Sequence, residues 1–104
     1  MKYLNNSDEK TYIKKNFKKK EVYKQIEKII EKQKGNKKIL DVGTANGELI
    51  YFLNKKFKKK HCYTGIDISS KLIEFAKKNQ PNIRFLKKNI NDNSFKEKFD
   101  IIIL

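Results

Sequence analysis

Short apolar segments alternate with longer amphipathic segments along most of this 104-residue chain. The apolar segments have the length of strands, and the amphipathic ones repeat apolar side chains at helical spacing. In an order of strand, helix, strand, each helical crossover returns the chain to the same end of the sheet, so neighbouring strands run parallel. This alternation therefore predicts an α/β fold with a parallel sheet.

The boundaries of the elements follow from the apolar pattern and from the residues that end each segment. Strands are predicted over residues 38–42, 62–67, 83–86 (or to 88) and 99–104. Helices are predicted from about 8 to 34, from about 47 to 57, and from Ser69 or Ser70 to about 79. The first helix has one apolar stripe, formed by Val22, Ile26, Ile29 and Ile30. We expect Gly35 and Asn36 to end that helix, and residues 1–7 to be frayed.

The chain is strongly basic, with a formal net charge of +14. Of its 26 basic residues only Arg84 is arginine, and the rest are lysine. Nucleic-acid sites usually include arginine, whose planar fork binds phosphates and bases. A codon bias toward lysine, asparagine and isoleucine explains the excess without a ligand. A nucleic-acid partner is therefore possible but is not favoured.

Other features of the sequence bear on membrane contact, secretion, metal binding and the cellular location of the protein. No apolar run is long enough to cross a membrane, so we expect no membrane contact. The first ten residues lack the apolar segment of a secretory signal. Cys62 is the only cysteine, and no metal-ligand spacing surrounds it, so we expect no metal site. These observations indicate a cytoplasmic protein.

The stretch ILDVGTANGEL, residues 39–49, combines a strand, a glycine loop and the start of a helix. In an open parallel sheet, ligands bind beyond the carboxyl ends of the strands. Asp41, at the end of its strand, and the loop glycines Gly43 and Gly47 should lie there. Glycine permits close approach of a ligand, and the following helix directs free N–H groups at the same place.

The residues around this loop restrict the ligand. A phosphate-binding P-loop would need a Gly-Lys-Ser/Thr end, and the dinucleotide fingerprint would need glycine where Ala45 and Glu48 stand. Asp67 follows Gly47 at the offset where a carboxylate binds ribose hydroxyls. Asp41, Glu48 and Asp67 place negative charge at one edge of a basic protein. A cationic nucleoside such as S-adenosylmethionine fits this edge.

Four segments together resemble the class I S-adenosylmethionine-dependent methyltransferases. In family order, the segments similar to the first four strands and their loops are ILDVGTANGEL, YTGIDIS, IRFLKKNIND and FDIIIL. The resemblance implies a Rossmann-like doubly wound parallel sheet, truncated after the fourth strand. It divides the chain into an N-terminal helical segment, residues 1–37, and a partial cofactor-binding domain, residues 38–104.

The resemblance also implies roles for individual residues. Asp41 and the loop residues Gly43, Thr44, Ala45 and Gly47 would hold the methionine part of the cofactor. The ribose and adenine would contact a second set of residues, Asp67, Ile68, Asn89 and Ile90. Two departures from the family pattern are expected to weaken affinity. Ala45 replaces the commonest glycine and is tolerable if its φ stays negative, and Asn89 replaces an aspartate that accepts from the adenine amino group.

Simpler readings of some of these residues stay open. Asp41 could cap a turn, and Asp67 could cap the third helix. His61 and Cys62 lie at the start of a strand, away from the expected site, which indicates a structural role. Tyr3 and Tyr12 would reach the cofactor only if the first helix folds over the site.

The reaction is less constrained than the cofactor. No catalytic base can be named, because the family's catalytic residues usually follow the fourth strand. The leading hypothesis is methyl transfer to a small molecule or a sugar precursor. The alternatives are an RNA methyltransferase and a non-catalytic nucleoside-binding module. Without a fifth strand, residues 99–104 would form an exposed edge, so we expect self-association there and doubtful activity of this chain alone.

Overall fold

The computed structural model describes residues 10–15, 19–92 and 96–104, without the side chains of Lys19 and Lys20. The expectations for residues 1–7, including Tyr3, lie outside this part of the chain. Its strands are β1 Thr11–Ile13, β2 Lys38–Val42, β3 Cys62–Asp67, β4 Arg84–Lys87 and β5 Ile101–Ile103. Its helices are α1 Lys19–Glu31, α2 Glu48–Lys56 and α3 Ser70–Asn79.

The five strands form one parallel sheet in the order β1-β5-β2-β3-β4. This arrangement confirms the predicted α/β class and the parallel sheet. The strands β2 and β3 begin and end where the sequence predicted. Gly47 caps α2, and Ser69 caps α3 with its hydroxyl, which accepts from the Leu72 N–H. These caps explain why the predicted helix boundaries agree with the structure to within a residue.

The beginning of the chain differs from the expected helix over residues 8–34. Residues 11–13 form the strand β1, and α1 begins only at Lys19 and ends at Glu31. The three residues of β1 are too few to show a strand period. They are extended because they pair with β5, in a register that joins Thr11 to Ile101. Long-range pairing has overridden the local helical pattern here.

The expected exposed edge at residues 99–104 is also wrong. In the sheet, β5 lies between β1 and β2, and Ile101, Ile102 and Ile103 are fully buried. The position beside β5, where the family resemblance expects a fifth strand, is held by β1. The predicted self-association through β5 therefore loses its structural basis, because the backbone of this strand is paired on both sides.

All three helices pack on the same face of the sheet. Their buried side chains share one cluster with the odd-numbered strand residues Ile13, Ile39, Tyr63, Phe85, Ile101 and Ile103. From the predicted stripe of α1, Val22, Ile26 and Ile30 are buried, but Ile29 is 38% exposed and lies at the margin. The opposite face has a smaller cluster, Leu40, Ile66, Phe99 and Ile102. Side chains alternate between the faces of a strand, so Asp41 lies on the helix-covered face.

Polar contacts fix the amino ends of the strands. Glu97 accepts from Arg84 Nη1 at 2.6 Å and pairs with Lys38 Nζ at 3.3 Å, which joins the β4–β5 connection to the sheet. His61 is buried, and its Nδ1 accepts from the Lys37 N–H at 3.0 Å. Burial, with the charges of Lys60 and Lys37, lowers the pKa of His61. In the described part of the chain no helix is long and apolar enough to cross a membrane.

Candidate functional site

The loop after β2 combines three residues with left-handed backbone. Gly43, Ala45 and Gly47 have φ values of 70°, 52° and 81°. From the sequence, alanine at position 45 was expected to be tolerable only with a negative φ. The structure gives Ala45 a positive φ, so this condition is not met. The Ala45 N–H donates to Asp67 Oδ2 at 2.9 Å, and this hydrogen bond holds the residue in the turn. For an alanine, the left-handed region is unfavourable because its Cβ approaches the backbone.

The two loop glycines are needed for different reasons. A Cβ on Gly47 would lie 2.7 Å from Phe85 Cζ, and the carbonyl of Gly47 accepts from Gln80 Nε2 at 2.8 Å. Gly47 therefore lets the start of α2 pack against β4. A Cβ on Gly43 would meet no atom of the described residues within 4 Å. Gly43 thus borders open space, as a ligand-binding loop requires.

Asp41 is the most buried charged group of the site. Only 1% of the residue is exposed, and its Oδ1 accepts from Lys15 Nζ at 2.5 Å. Burial raises the pKa of Asp41, the adjacent Lys15 lowers it, and the nearby charge of Asp67 raises it. The two strand-terminal aspartates predicted from the sequence therefore lie close enough to interact at one edge of the sheet.

Lys15 was not predicted as a site residue. It follows β1, and its ammonium group donates to Asp41, to the Val42 carbonyl at 2.8 Å and, at 3.4 Å, to the Gly43 carbonyl. Its backbone N–H donates to the Leu104 carbonyl at 2.9 Å, which fixes it at the carboxyl end of the sheet. Nothing in the sequence separates this lysine from the others, because its position depends on the pairing of β1 with β5.

The Thr44 hydroxyl and the second carboxylate oxygen of Asp41 are both buried beside the loop. The Thr44 side chain interacts with the Asp41 carboxylate and, like Lys15, lowers the pKa of Asp41. Thr44 itself is buried, and its backbone N–H donates to the Ile66 carbonyl at 2.9 Å.

Asp67 ends β3 and connects the loop to α3. Its Oδ2 accepts from the Ala45 N–H, and its Oδ1 accepts from the Ser69 N–H at 3.0 Å. The simpler reading of Asp67 as a local cap is thus part of its role, although Ser69 is the side chain that caps the helix. Each carboxylate oxygen can accept a second hydrogen bond, so ribose hydroxyls can still be bound.

An apolar surface lies beside Asp67. Ile68 is 71% exposed and lies between β3 and α3. Leu72 and Phe75 are also exposed and lie three residues apart on α3, so they share one face of that helix. An isoleucine exposed next to a polar binding edge is suited to pack on a flat aromatic ring.

Asn89 and Ile90 follow β4 at the same end of the sheet. The side-chain oxygen of Asn89 accepts from the Asn91 N–H at 2.9 Å, which closes a turn. Its amide group keeps two donors and one further acceptor position. Ile90 is half-buried against the smaller core cluster. The structure therefore brings these residues to the expected edge, with part of the Asn89 side chain used locally.

A groove of about 1110 Å³ lies between α1 and α2. Its walls include Tyr23, Tyr51, Phe52 and Glu48, but none of the other residues predicted for the cofactor. Burial and the negative charges of Glu48 and Asp41 raise the pKa of Tyr23 to about 12. Helix α1 thus packs near the acidic edge, while Tyr12 lies in β1 and not in a helix above the site.

Comparison with known proteins agrees with this geometry. A model of the methyltransferase domain family matches residues 33–104. The 235L protein of Invertebrate iridescent virus 6, which carries a provisional methyltransferase name, is 31% identical over 68 residues. The match covers 65% of this chain and 25% of the viral protein.

Solved methyltransferases share the fold. A TehB-like SAM-dependent methyltransferase from Corynebacterium glutamicum aligns with a TM-score of 0.61 and 26% identity, over 79% of this chain and 44% of its own. The plantazolicin methyltransferase BamL, with a desmethylPZN analog and SAH, aligns with a TM-score of 0.55 and 39% identity, over 62% of this chain and 25% of its own. This chain thus spans less than half the length of these relatives. It belongs to the methyltransferase domain family, and its sheet has the Rossmann-like fold of the class I S-adenosylmethionine-dependent enzymes.

Proposed function

We propose that this chain is the cofactor-binding part of an S-adenosylmethionine-dependent methyltransferase. The observation that carries the proposal is the acidic edge: Asp41 and Asp67 end adjacent strands, and a glycine loop lies between them. BamL, 39% identical over the aligned part, binds SAH, the product form of this cofactor. The buried Asp41 carboxylate and the open space at Gly43 suit a polar ligand.

Each part of the cofactor has a counterpart among the site residues. We assign its methionine part to Asp41 and the loop of Gly43, Thr44, Ala45 and Gly47. We assign its ribose to Asp67. The exposed Ile68 would pack on the adenine, and Asn89 and Ile90 would border it. When bound, the cofactor supplies an electrophilic methyl group, and the role of these residues is to hold it in one orientation.

The methyl acceptor is proposed to be a small molecule or a sugar precursor. The plantazolicin methyltransferase BamL, 39% identical over the aligned part, holds a triazolic desmethylPZN analog together with SAH, which supports an acceptor of limited size. Methyl transfer needs an acceptor aligned with the methyl group and, for some acceptors, a base. We assign no base in this chain.

We propose the cytoplasm as the cellular location of the protein. The free, exposed Cys62 is compatible with that reducing compartment.

The replacement of Asp67 tests the proposal. Asp67→Asn keeps the shape of the side chain and one oxygen acceptor, but it removes the charge. We expect the affinity for S-adenosylhomocysteine to fall about 10- to 100-fold, because a hydrogen bond to a charged group contributes about 1.5–3 kcal/mol. Isothermal titration calorimetry on the purified chain measures this change directly.

Ser69→Ala is the matched control. It removes the hydroxyl that caps α3 and so lowers stability by about 1 kcal/mol, but it leaves the Asp67 carboxylate in place. We expect this variant to melt earlier and to bind S-adenosylhomocysteine like the wild type. If Asp67→Asn and Ser69→Ala bind the ligand equally well, Asp67 does not hold the ribose.

A further inference from the structure

The ammonium group of Lys15 lies in a built set of acceptors. Asp41 Oδ1 is 2.5 Å away, and the carbonyl oxygens of Val42 and Gly43 are 2.8 and 3.4 Å away. A primary ammonium has three N–H donors, so three acceptors match it one to one. The carboxylate is almost completely buried, and the Lys15 side chain is 22% exposed. Asp41 and the two carbonyls therefore form an ammonium-binding site.

This site lies in the same loop to which the proposed function assigns the methionine part of the cofactor. That part has a primary ammonium group of its own. Two ammonium groups cannot share one set of three acceptors, because like charges at this distance repel each other. Lys15 comes from the segment after β1, whereas the acceptors belong to β2 and its loop, so the two can separate without breaking either strand.

We propose that Lys15 is an internal ligand that occupies the ammonium subsite of the cofactor and must be displaced when the cofactor binds. The inference rests on the proposed function and adds a regulatory contact to it. Lys15 satisfies Asp41 in the empty protein, because a buried carboxylate without a partner is strongly destabilising. Its release leaves the acceptors to the ligand, so the strength of the Lys15–Asp41 pair sets the apparent affinity.

The size of the effect on affinity follows from the fraction of molecules in which the Lys15–Asp41 ion pair is broken. The apparent Kd equals the intrinsic Kd divided by the fraction of molecules in the binding-competent state. If the pair is closed about nine-tenths of the time, the apparent Kd is about tenfold weaker than the intrinsic one. Removal of the Lys15 ammonium should recover that factor for ligands that carry an ammonium group, and only for those.

Two nucleosides and three variants test this inference. S-adenosylhomocysteine has the ammonium group, while 5′-methylthioadenosine has the same nucleoside and sulfur without it. We expect Lys15→Met to bind S-adenosylhomocysteine about tenfold more tightly than wild type and to bind 5′-methylthioadenosine within about twofold of it. Lys15→Gln should change in the same direction. Lys14→Met, which removes one charge from the exposed neighbour, should match the wild type.

The calorimetry is repeated at two pH values, because loss of Lys15 removes the group that lowers the pKa of Asp41. If Lys15→Met weakens the binding of S-adenosylhomocysteine, Lys15 assists the cofactor instead of competing with it, and the inference is overturned. An equal change for both nucleosides overturns it as well, because the effect would then not concern the ammonium group.

A second experiment needs no nucleoside. Methylammonium chloride should raise the melting temperature of Lys15→Ala by about 2 °C or more relative to tetramethylammonium chloride at equal ionic strength, because only the first has N–H donors. Lys14→Ala should show no such difference. Absence of this rescue would refute the ammonium site itself. Rescue without nucleoside binding by any variant would instead count against the proposed function.

Discussion

Ala45 holds a backbone conformation that is unfavourable for its residue type, in the middle of the candidate site. Ala45 has a φ of 52° and lies in the chain between two glycines that are also left-handed. Its N–H donates to the Asp67 carboxylate. A left-handed backbone is about 1–2 kcal/mol less stable for an L-residue than for glycine. The hydrogen bond to Asp67 therefore maintains a conformation that the alanine alone would leave.

Ala45→Gly should stabilise the protein by about 0.5–1 kcal/mol. Glycine removes the strain of the left-handed backbone, and its greater freedom in the unfolded state offsets part of that gain. Urea unfolding followed by circular dichroism measures the difference. Ala76→Gly, in the buried interior of α3, serves as the opposite control and should destabilise by about 1 kcal/mol or more. A loss of stability in Ala45→Gly would show that the loop takes another path in solution.

At the scale of residues, the sequence predicted the site only in part. The glycines and the two aspartates could be placed at the ligand edge because each lies at the end of a strand or in the loop after it. The left-handed Ala45 could not be predicted, since alanine carries no signal for that backbone. Lys15 could not be predicted either, because it reaches Asp41 only through the pairing of β1 with β5.

Among the elements, β1 covers the side of β5 that faces away from β2. It pairs along its length with β5, and Ile13 contributes to the main core. An uncovered β5 would present unpaired N–H and C=O groups together with apolar side chains, which is a template for association with another chain. The short strand β1 protects this edge, and it is itself only three residues long, as protective edge strands commonly are.

Thr11→Pro should therefore weaken the pairing of β1 and increase self-association. The Thr11 N–H donates to the Asp100 carbonyl at 3.0 Å, and proline lacks this donor. We expect a lower melting temperature and a larger associated fraction in size-exclusion chromatography with light scattering. Thr11→Ala keeps the N–H and should behave like the wild type. Equal association of the two variants would mean that β1 does not protect β5.

The elements differed in how well the sequence predicted them. The helices α2 and α3 were predicted within a residue because their caps and apolar stripes agree. The strands β2 and β3 are short, mostly buried segments with an aspartate at or next to their carboxyl ends, so local information sufficed. The strand β1 was missed because nothing in three residues distinguishes it from the start of a helix, and its partner lies at the other end of the chain.

For the whole molecule, the distribution of charge favours a cationic nucleoside over a nucleic acid as the ligand of the site. The lysines lie on several helices and turns, whereas the carboxylates Asp41 and Asp67 meet at the ligand edge. The single arginine, Arg84, is engaged by Glu97. Its guanidinium is thus already paired, which leaves lysines as the main cationic groups of the surface.

RNA binding by this chain should accordingly be weak and independent of sequence. Lysines neutralise phosphates without reading bases, so two RNAs of equal length and different sequence should bind with affinities within about threefold. Binding should also weaken steeply between about 50 and 200 mM salt. Fluorescence anisotropy with labelled RNAs measures both effects. Selective, submicromolar binding of one sequence near physiological salt would favour an RNA methyltransferase.

The position of β5 also has a consequence for the order of folding. Lys10 and Phe99, which flank the outer strand pair, are joined by a hydrogen bond across 89 positions of the chain. The strands β2, β3 and β4 can assemble as they leave the ribosome, because only local crossovers separate them. The strand β1 is made before them and must wait for β5, which then enters between β1 and β2. Closing so long a loop is entropically unfavourable and slow, so completion of the sheet is expected to limit the folding rate.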